Sequence, residues 1–321
     1  MLHEFSDIVD PKELPRKLSH LKWHITGFVD GDGSFPVILS PDPTKRFGWL
    51  IQPRFEIELK RNLDSKVMLK VTCRAIGIRP KMFEGDNYVK LVVTNRRLLR
   101  EKVVAFFTEY PPTLKEDKFA LMRHVVKALD EKKHLEHEGF KDIIRRIFSL
   151  PVDGEARRKW SFNEVMQDEE PPMTQKERTL SFPKGIVALK HYVLGFIDAE
   201  GSFGYAINRE TRSITPYLTV THREPEILRM VQRTLDCGNV SKGRLQVYGV
   251  ENMVARVVPL IDELKLIAKR TAYGQFRSVL AMIVRGEHRR NYQRVETFAR
   301  SLNRRLGDPQ RPYARHPSNE G

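Results

Sequence analysis

ITGFVDGDG occupies residues 25–33 and VLGFIDAEG occupies residues 193–201, so one chain carries nearly the same stretch twice. The likeness runs on through the Ser-Phe that follows each copy. Over GFVDGDGSF and GFIDAEGSF the differences are Val29 against Ile197, Gly31 against Ala199 and Asp32 against Glu200, the last exchanging one carboxylate for another. Upstream, apolar residues recur at helical spacing (Trp23, Ile25, Phe28 and Val29; Tyr192, Val193, Leu194, Phe196 and Ile197), so each motif is expected to close a helix. Gly27 and Gly195 then lie inside helices, where glycine costs about 1 kcal/mol against alanine. Close backbone approach offsets such a cost, and the natural partner is the other motif helix. Packing the two side by side brings their C-terminal ends together and makes neighbours of Asp32 and Glu200. Two acids at the negative ends of two helix dipoles are in electrostatic conflict. A divalent cation relieves it, and carboxylates with free carbonyls are the hard oxygen ligands that suit Mg²⁺. Two other readings fail on spacing. A calcium loop needs Glu at its twelfth position, which falls on Pro41 and Arg209. A phosphate-cradling G-x-G-x-x-G needs a third Gly where Pro36 stands. Asp30 and Asp198 are expected to tie the motif turns to backbone N–H groups.

The echo reaches beyond the motifs. KALDEKKHLEHEGFKDIIRRIFSL at residues 127–150 parallels AMIVRGEHRRNYQRVETFARSLNR at residues 281–304, and one offset pairs His134 with His288, Lys115 with Lys269, and Val103-Val104 with Val257-Val258. The motifs themselves lie further apart than that offset. The first copy therefore holds extra residues, expected in the turn SPDPTKRFGW and the loop RPKMFEGDNY. Periodicity and turn signals read α-β-β-α-β-β-α in each copy, an α+β fold of two pseudo-symmetric repeats. The expected organisation is a first repeat at 1–150, a linker at 151–185, and a second repeat at 186–321 with a basic C-terminal tail. Trp160 and Phe162 would anchor the linker.

Lys and Arg number 56 against 41 Asp and Glu, a net charge of +15 with 40% hydrophobic residues, which suits a packed core and a polyanionic partner. Two half-domains in one chain form a pseudo-dimer, matched to a ligand that is itself nearly symmetric, such as a duplex. The two cysteines, Cys73 and Cys237, build neither a disulfide framework nor a zinc site, pointing to an intracellular protein. No apolar run reaches the length of a membrane span, and the N-terminus lacks a signal-peptide core. A monomer made in an organelle or in a prokaryotic cytoplasm is expected, with no membrane partner.

On the two nine-residue motifs and their matching flanks, the chain resembles the LAGLIDADG homing endonucleases in their single-chain, two-motif form. The resemblance implies repeats packed through the motif helices, with antiparallel sheets forming a saddle over double-stranded DNA. It implies cleavage of both strands across the minor groove of a long, imperfectly palindromic target, for a mobile intron or an intein-like element. Asp32 and Glu200 take the place of the family's metal ligands, with the carbonyls of Gly31 and Ala199 completing the shell around Mg²⁺, and Mn²⁺ or Ca²⁺ substituting for binding. Lys115 and Lys269 match the basic residues near the scissile phosphate. Where the family often has Gln near the end of the second strand, this sequence has Leu59 and His222, a departure that makes the two halves unequal.

Alternation along the strands then names candidate DNA contacts: Arg54, Glu56, Glu58 and Lys60, with Arg79, Lys81 and Lys90, in the first repeat. In the second they are Tyr217, Thr219, Thr221, His222 and Arg223, with Lys242, Arg244 and Gln246. Two alternatives keep the scaffold: an RNA maturase acting on group I intron RNA, and a DNA-binding regulator that does not cut. Both acids are present, which argues for cutting.

Overall fold

The computed structural model describes residues 18–79, 82–151, 159–166 and 179–306. Lys81, most of the expected linker and the basic tail at 307–321 lie outside these residues. The chain divides into two compact units, Met1–Ala199 and Glu200–Gly321.

The first unit opens with helix α1 (Leu18–Asp32), which feeds directly into strand β1 (Gly33–Ser34). Strands β2 (Val37–Pro41) and β3 (Trp49–Pro53) pair with each other in a separate two-stranded ribbon, and β4 (Phe55–Lys60) returns to pair with β1. The single hairpin expected here is thus broken in two. Pro36 and Pro53 bracket the break, and a residue without an N–H cannot continue a ladder. Helix α2 (Leu63–Ile76) starts at Asn62, whose side chain accepts from Ser65 N, and stops at Gly77 with φ of 80°. Strands β5 (Met82–Glu84) and β6 (Tyr88–Val93) complete an antiparallel sheet of order β1-β4-β6-β5.

A further helical run passes from α3 (Arg96–Leu98) through a π-helical turn at Leu99–Val104 into α4 (Ala105–Glu109). Helices α5 (Glu116–Asp130) and α6 (His137–Ser149) follow. The short helix α7 (Phe162–Met166) inserts Phe162, fully buried, beside Phe148, while Trp160 meets Trp49 edge to face. Helix α8 (Ile186–Glu200) carries the second motif.

The second unit runs through β7 (Gly201–Asn208), β8 (Ser213–Thr221), α9 (Pro225–Leu235), β9 (Asn239–Ser241) and β10 (Arg244–Tyr248), in a sheet of order β7-β8-β10-β9. It then passes through α10 (Val250–Asn252), a π-helical turn at Met253–Val257 and α11 (Val258–Leu264). Helices α12 (Arg270–Val284), α13 (Glu287–Arg290) and α14 (Tyr292–Leu306) end it. The two π turns fall at equivalent places in the repeats. Gly33 pairs with Ile57 where Gly201 pairs with Val220, and Ile57 pairs with Leu91 where Val220 pairs with Leu245. Both loops of the first copy therefore hold surplus residues.

Candidate metal and nucleic-acid site

Helices α1 and α8 are internal rather than amphipathic. Residues 24–30 of one and 191–198 of the other are buried without interruption, which needs a helix covered on every side. A Cβ on Gly27 would stand 1.9 Å from the Tyr192 carbonyl oxygen, and one on Gly195 would stand 1.9 Å from that of His24. The backbones of the two helices touch at these glycines, reciprocally. His24 and Tyr192 are equivalent residues, each three before its motif glycine, and each bonds the motif aspartate of the other helix. Tyr192 Oη donates to Asp30 Oδ2 at 2.7 Å, and His24 Nε2 lies 3.0 Å from Asp198 Oδ2. Both aspartates are fully buried.

Asp30 also accepts from the backbone N–H groups of Thr113 (2.6 Å), Leu114 (3.0 Å) and Lys115 (3.0 Å). Burial raises its carboxyl above the ordinary aspartate value, while Tyr192, Thr113, the Lys115 charge and Leu114 pull the other way. One carboxylate thereby joins the end of α1, the middle of α8 and the segment that launches α5. That segment aims Lys115, whose Nζ donates to the carbonyls of Val29 (3.0 Å), Gly31 (2.6 Å) and Gly33. An ammonium at the last carbonyls of a helix satisfies them and offsets the dipole. The Gly31 carbonyl, a candidate metal ligand, therefore accepts a hydrogen bond from the Lys115 ammonium. Asp32 is exposed at the end of α1; Ala199 and Glu200 are half-buried at the end of α8. An exposed carboxylate beside a helix-end carbonyl is a pair of hard oxygen donors of the kind that suits a divalent ion.

Lys269 precedes α12 with φ −116° and ψ 21°, as Lys115 precedes α5 with φ −114° and ψ 21°. Leu59 and His222 stand two residues past Ile57 and Val220, at equivalent positions. His222 is half-buried, and its Nδ1 accepts from the Glu224 N–H at 3.1 Å. Of the candidate DNA contacts, Glu58, Lys60, Arg79, Thr221, Arg223, Lys242 and Arg244 are exposed, and Arg54, Glu56, Lys90, Thr219 and Gln246 are half-buried. Tyr217, expected among them, is buried at 7% exposure and lies tilted at 51° against Tyr248, too deep in the sheet to reach a base edge.

The roles of His24 and Tyr192 were absent from the sequence reading. Their signal lay in the repeat: a polar-tipped ring at the same place in two otherwise apolar helices.

A model of the LAGLIDADG endonuclease family matches residues 25–128. A "Probable intron-encoded DNA endonuclease 1" of Mycosarcoma maydis is 25% identical over 278 residues, covering 80% of this chain and 98% of that one. In fold, the chain is similar to the I-LtrWI LAGLIDADG homing endonuclease bound to target DNA, with TM-score 0.72 and 19% identity over 91% of this chain and 99% of that one. It is similar also to I-SmaMI bound to uncleaved DNA in the presence of calcium ions, with TM-score 0.72 and 16% identity over 89% and 99%. The match to the LAGLIDADG endonuclease family covers the first motif and the residues after it, and the chain carries a second copy of the same nine-residue motif at 193–201.

Proposed function

We propose that the protein is a site-specific double-strand DNA endonuclease that hydrolyses phosphodiesters with a divalent cation, Mg²⁺ in the cell. The observation that carries this reading is the reciprocal packing of α1 and α8, each of which ends in a carboxylate, Asp32 or Glu200. Asp32 with the Gly31 carbonyl, and Glu200 with the Ala199 carbonyl, are the oxygens that would hold the metal. A bound divalent ion supplies the Lewis acidity that makes water a nucleophile and stabilises the leaving oxygen. Lys115 and Lys269 add positive charge for a phosphate, and Asp30 fixes where Lys115 points. The sheets read the target, and the excess of Lys and Arg holds its backbone. An organellar or prokaryotic gene carried by an intron fits a chain with this content, with the RNA of that intron as its second ligand.

The test is a cleavage selection from a library of long randomised duplexes with Mg²⁺. Recovery of one long, half-symmetric site with staggered ends is expected. Asp32→Asn and Glu200→Gln are each expected to lose double-strand cutting by about 10²–10³-fold, the scale of removing one group that stabilises transition-state charge, while gel-shift affinity for the same site changes little. Full cutting by either variant at saturating Mg²⁺ would remove the reading.

A further inference from the structure

The two sheets differ in the chemistry of their outer faces. On β4 and β6 of the first unit, Phe55, Ile57, Val89, Leu91 and Val93 point into the core, and Glu56, Glu58 and Lys90 point out. Register sets Glu58 opposite Lys90. Glu56 is the least exposed of the three, its side chain 13% exposed, and it is engaged at both oxygens. Oε1 lies 3.3 Å from Arg54 Nη1, and Oε2 lies 2.9 Å from Lys90 Nζ, which also meets Glu58 Oε2 at 3.4 Å. The Glu56 and Glu58 carboxylates raise the Lys90 pKa above its ordinary value, so its charge is secure.

The Arg54 guanidinium is gripped from its other side by Gln52, whose Oε1 accepts from Nε at 2.9 Å and from Nη2. Three of its five N–H groups are then used, leaving one on each terminal nitrogen. That remaining pair is the fork that donates end-on to O6 and N7 of guanine. Glu56 itself is recessed and clasped by two cations, an arrangement for aiming them rather than for accepting from a cytosine amine.

The second sheet has no such ladder. None of its four strands contains an Asp or Glu. Register sets Thr219 opposite Gln246 and Thr221 opposite Arg244. Gln246 Nε2 donates to Tyr248 Oη at 3.2 Å, which orients its amide. Gln pairs bidentately with adenine, and Thr methyls pack on the thymine methyl.

We infer that the two sheets read different bases: guanines under Arg54 and Lys90 in the first, where Glu56 is the positioning residue for both, and A·T pairs under Gln246 and Thr219 in the second. This rests on the endonuclease reading above. It adds which bases each half accepts and makes Glu56 a determinant of specificity through its neighbours.

The experiment is a binding selection in Ca²⁺ with the full chain, comparing wild type with Glu56→Gln, Arg54→Ala and Lys90→Ala. Wild type is expected to recover a site with two guanine-restricted positions in one half and A·T preference in the other. Arg54→Ala and Lys90→Ala each relax one of those guanines. Glu56→Gln relaxes both together by about tenfold in base preference, with an unchanged melting temperature and an unchanged opposite half. A merely structural role would move the melting temperature and leave the base preferences alone. Loss of a single cytosine preference in Glu56→Gln would make Glu56 a direct reader and overturn the inference. So would the same bases selected in both halves, or Glu56→Gln recovering the wild-type site. A folded wild-type chain that selects no sequence at all overturns the endonuclease reading as well, and that failure is visible before any variant is compared.

Discussion

At the scale of single residues, the α1–α8 contact is unusual in how many titratable groups it buries. His24 is fully buried against Asp198, and His191, 3% exposed, stacks on His20 with ring centroids 4.4 Å apart. Burial, with His20 and His24 close by, pushes the His191 pKa down to about 3. Its folded value lies below its unfolded one, so its contribution to stability is present above about pH 6.5 and is lost as pH falls toward the folded value. Between pH 6.5 and 5 that loss is about 2 kcal/mol by linkage. Urea melts across this range are expected to show the slope, and His191→Phe, which keeps a ring on His20, to flatten it. The motif acids were legible in the sequence because the repeat varied Asp32 to Glu200 and kept the charge. The partners of Asp30 were not, since Thr113, Leu114 and Lys115 bond it through their backbone, and a backbone donor leaves no trace in residue type.

At the scale of elements, the glycines separate by what surrounds them. Gly27 and Gly195 each face a carbonyl oxygen that an added methyl would overlap, so Gly27→Ala or Gly195→Ala must drive the helices apart. Overpacking of this kind costs about 3 kcal/mol, expected as a fall in melting temperature by calorimetry. Gly274 lies inside α12 with open space where its Cβ would stand. Gly274→Ala is expected to stabilise the protein by up to about 1 kcal/mol in the same assay, from helix propensity alone. Element order was readable from periodicity, because core-facing strands and helices keep their spacing whatever they pack on. The ribbon of β2 and β3 was not foreseen, as it depends on Pro36 and Pro53 interrupting a pattern that otherwise alternates well. The π turns at Leu99–Val104 and Met253–Val257 carry no sequence mark of their own.

For the whole molecule, the charge of +15 sets the expected response to salt. If six to ten phosphates are neutralised, target affinity falls by about 10³-fold or more between 50 and 200 mM salt. Gel shifts across that range check it, and a flat response would mean that the basic excess is not on the DNA-facing surface. Among the described residues no helix is long and apolar enough to cross a membrane.

The placement of α8 in the first unit has a further consequence for how the protein is made. As the chain leaves the ribosome, α1 emerges early, with an apolar flank and a bare glycine notch. The segment that fills the notch is not yet translated. The first half of the nascent protein therefore cannot close its core until residues 186–199 have followed, so half the molecule waits on the beginning of the other half. A gene cut in the region between the motifs would yield a fragment whose notch stays open, free to accept a second copy of itself.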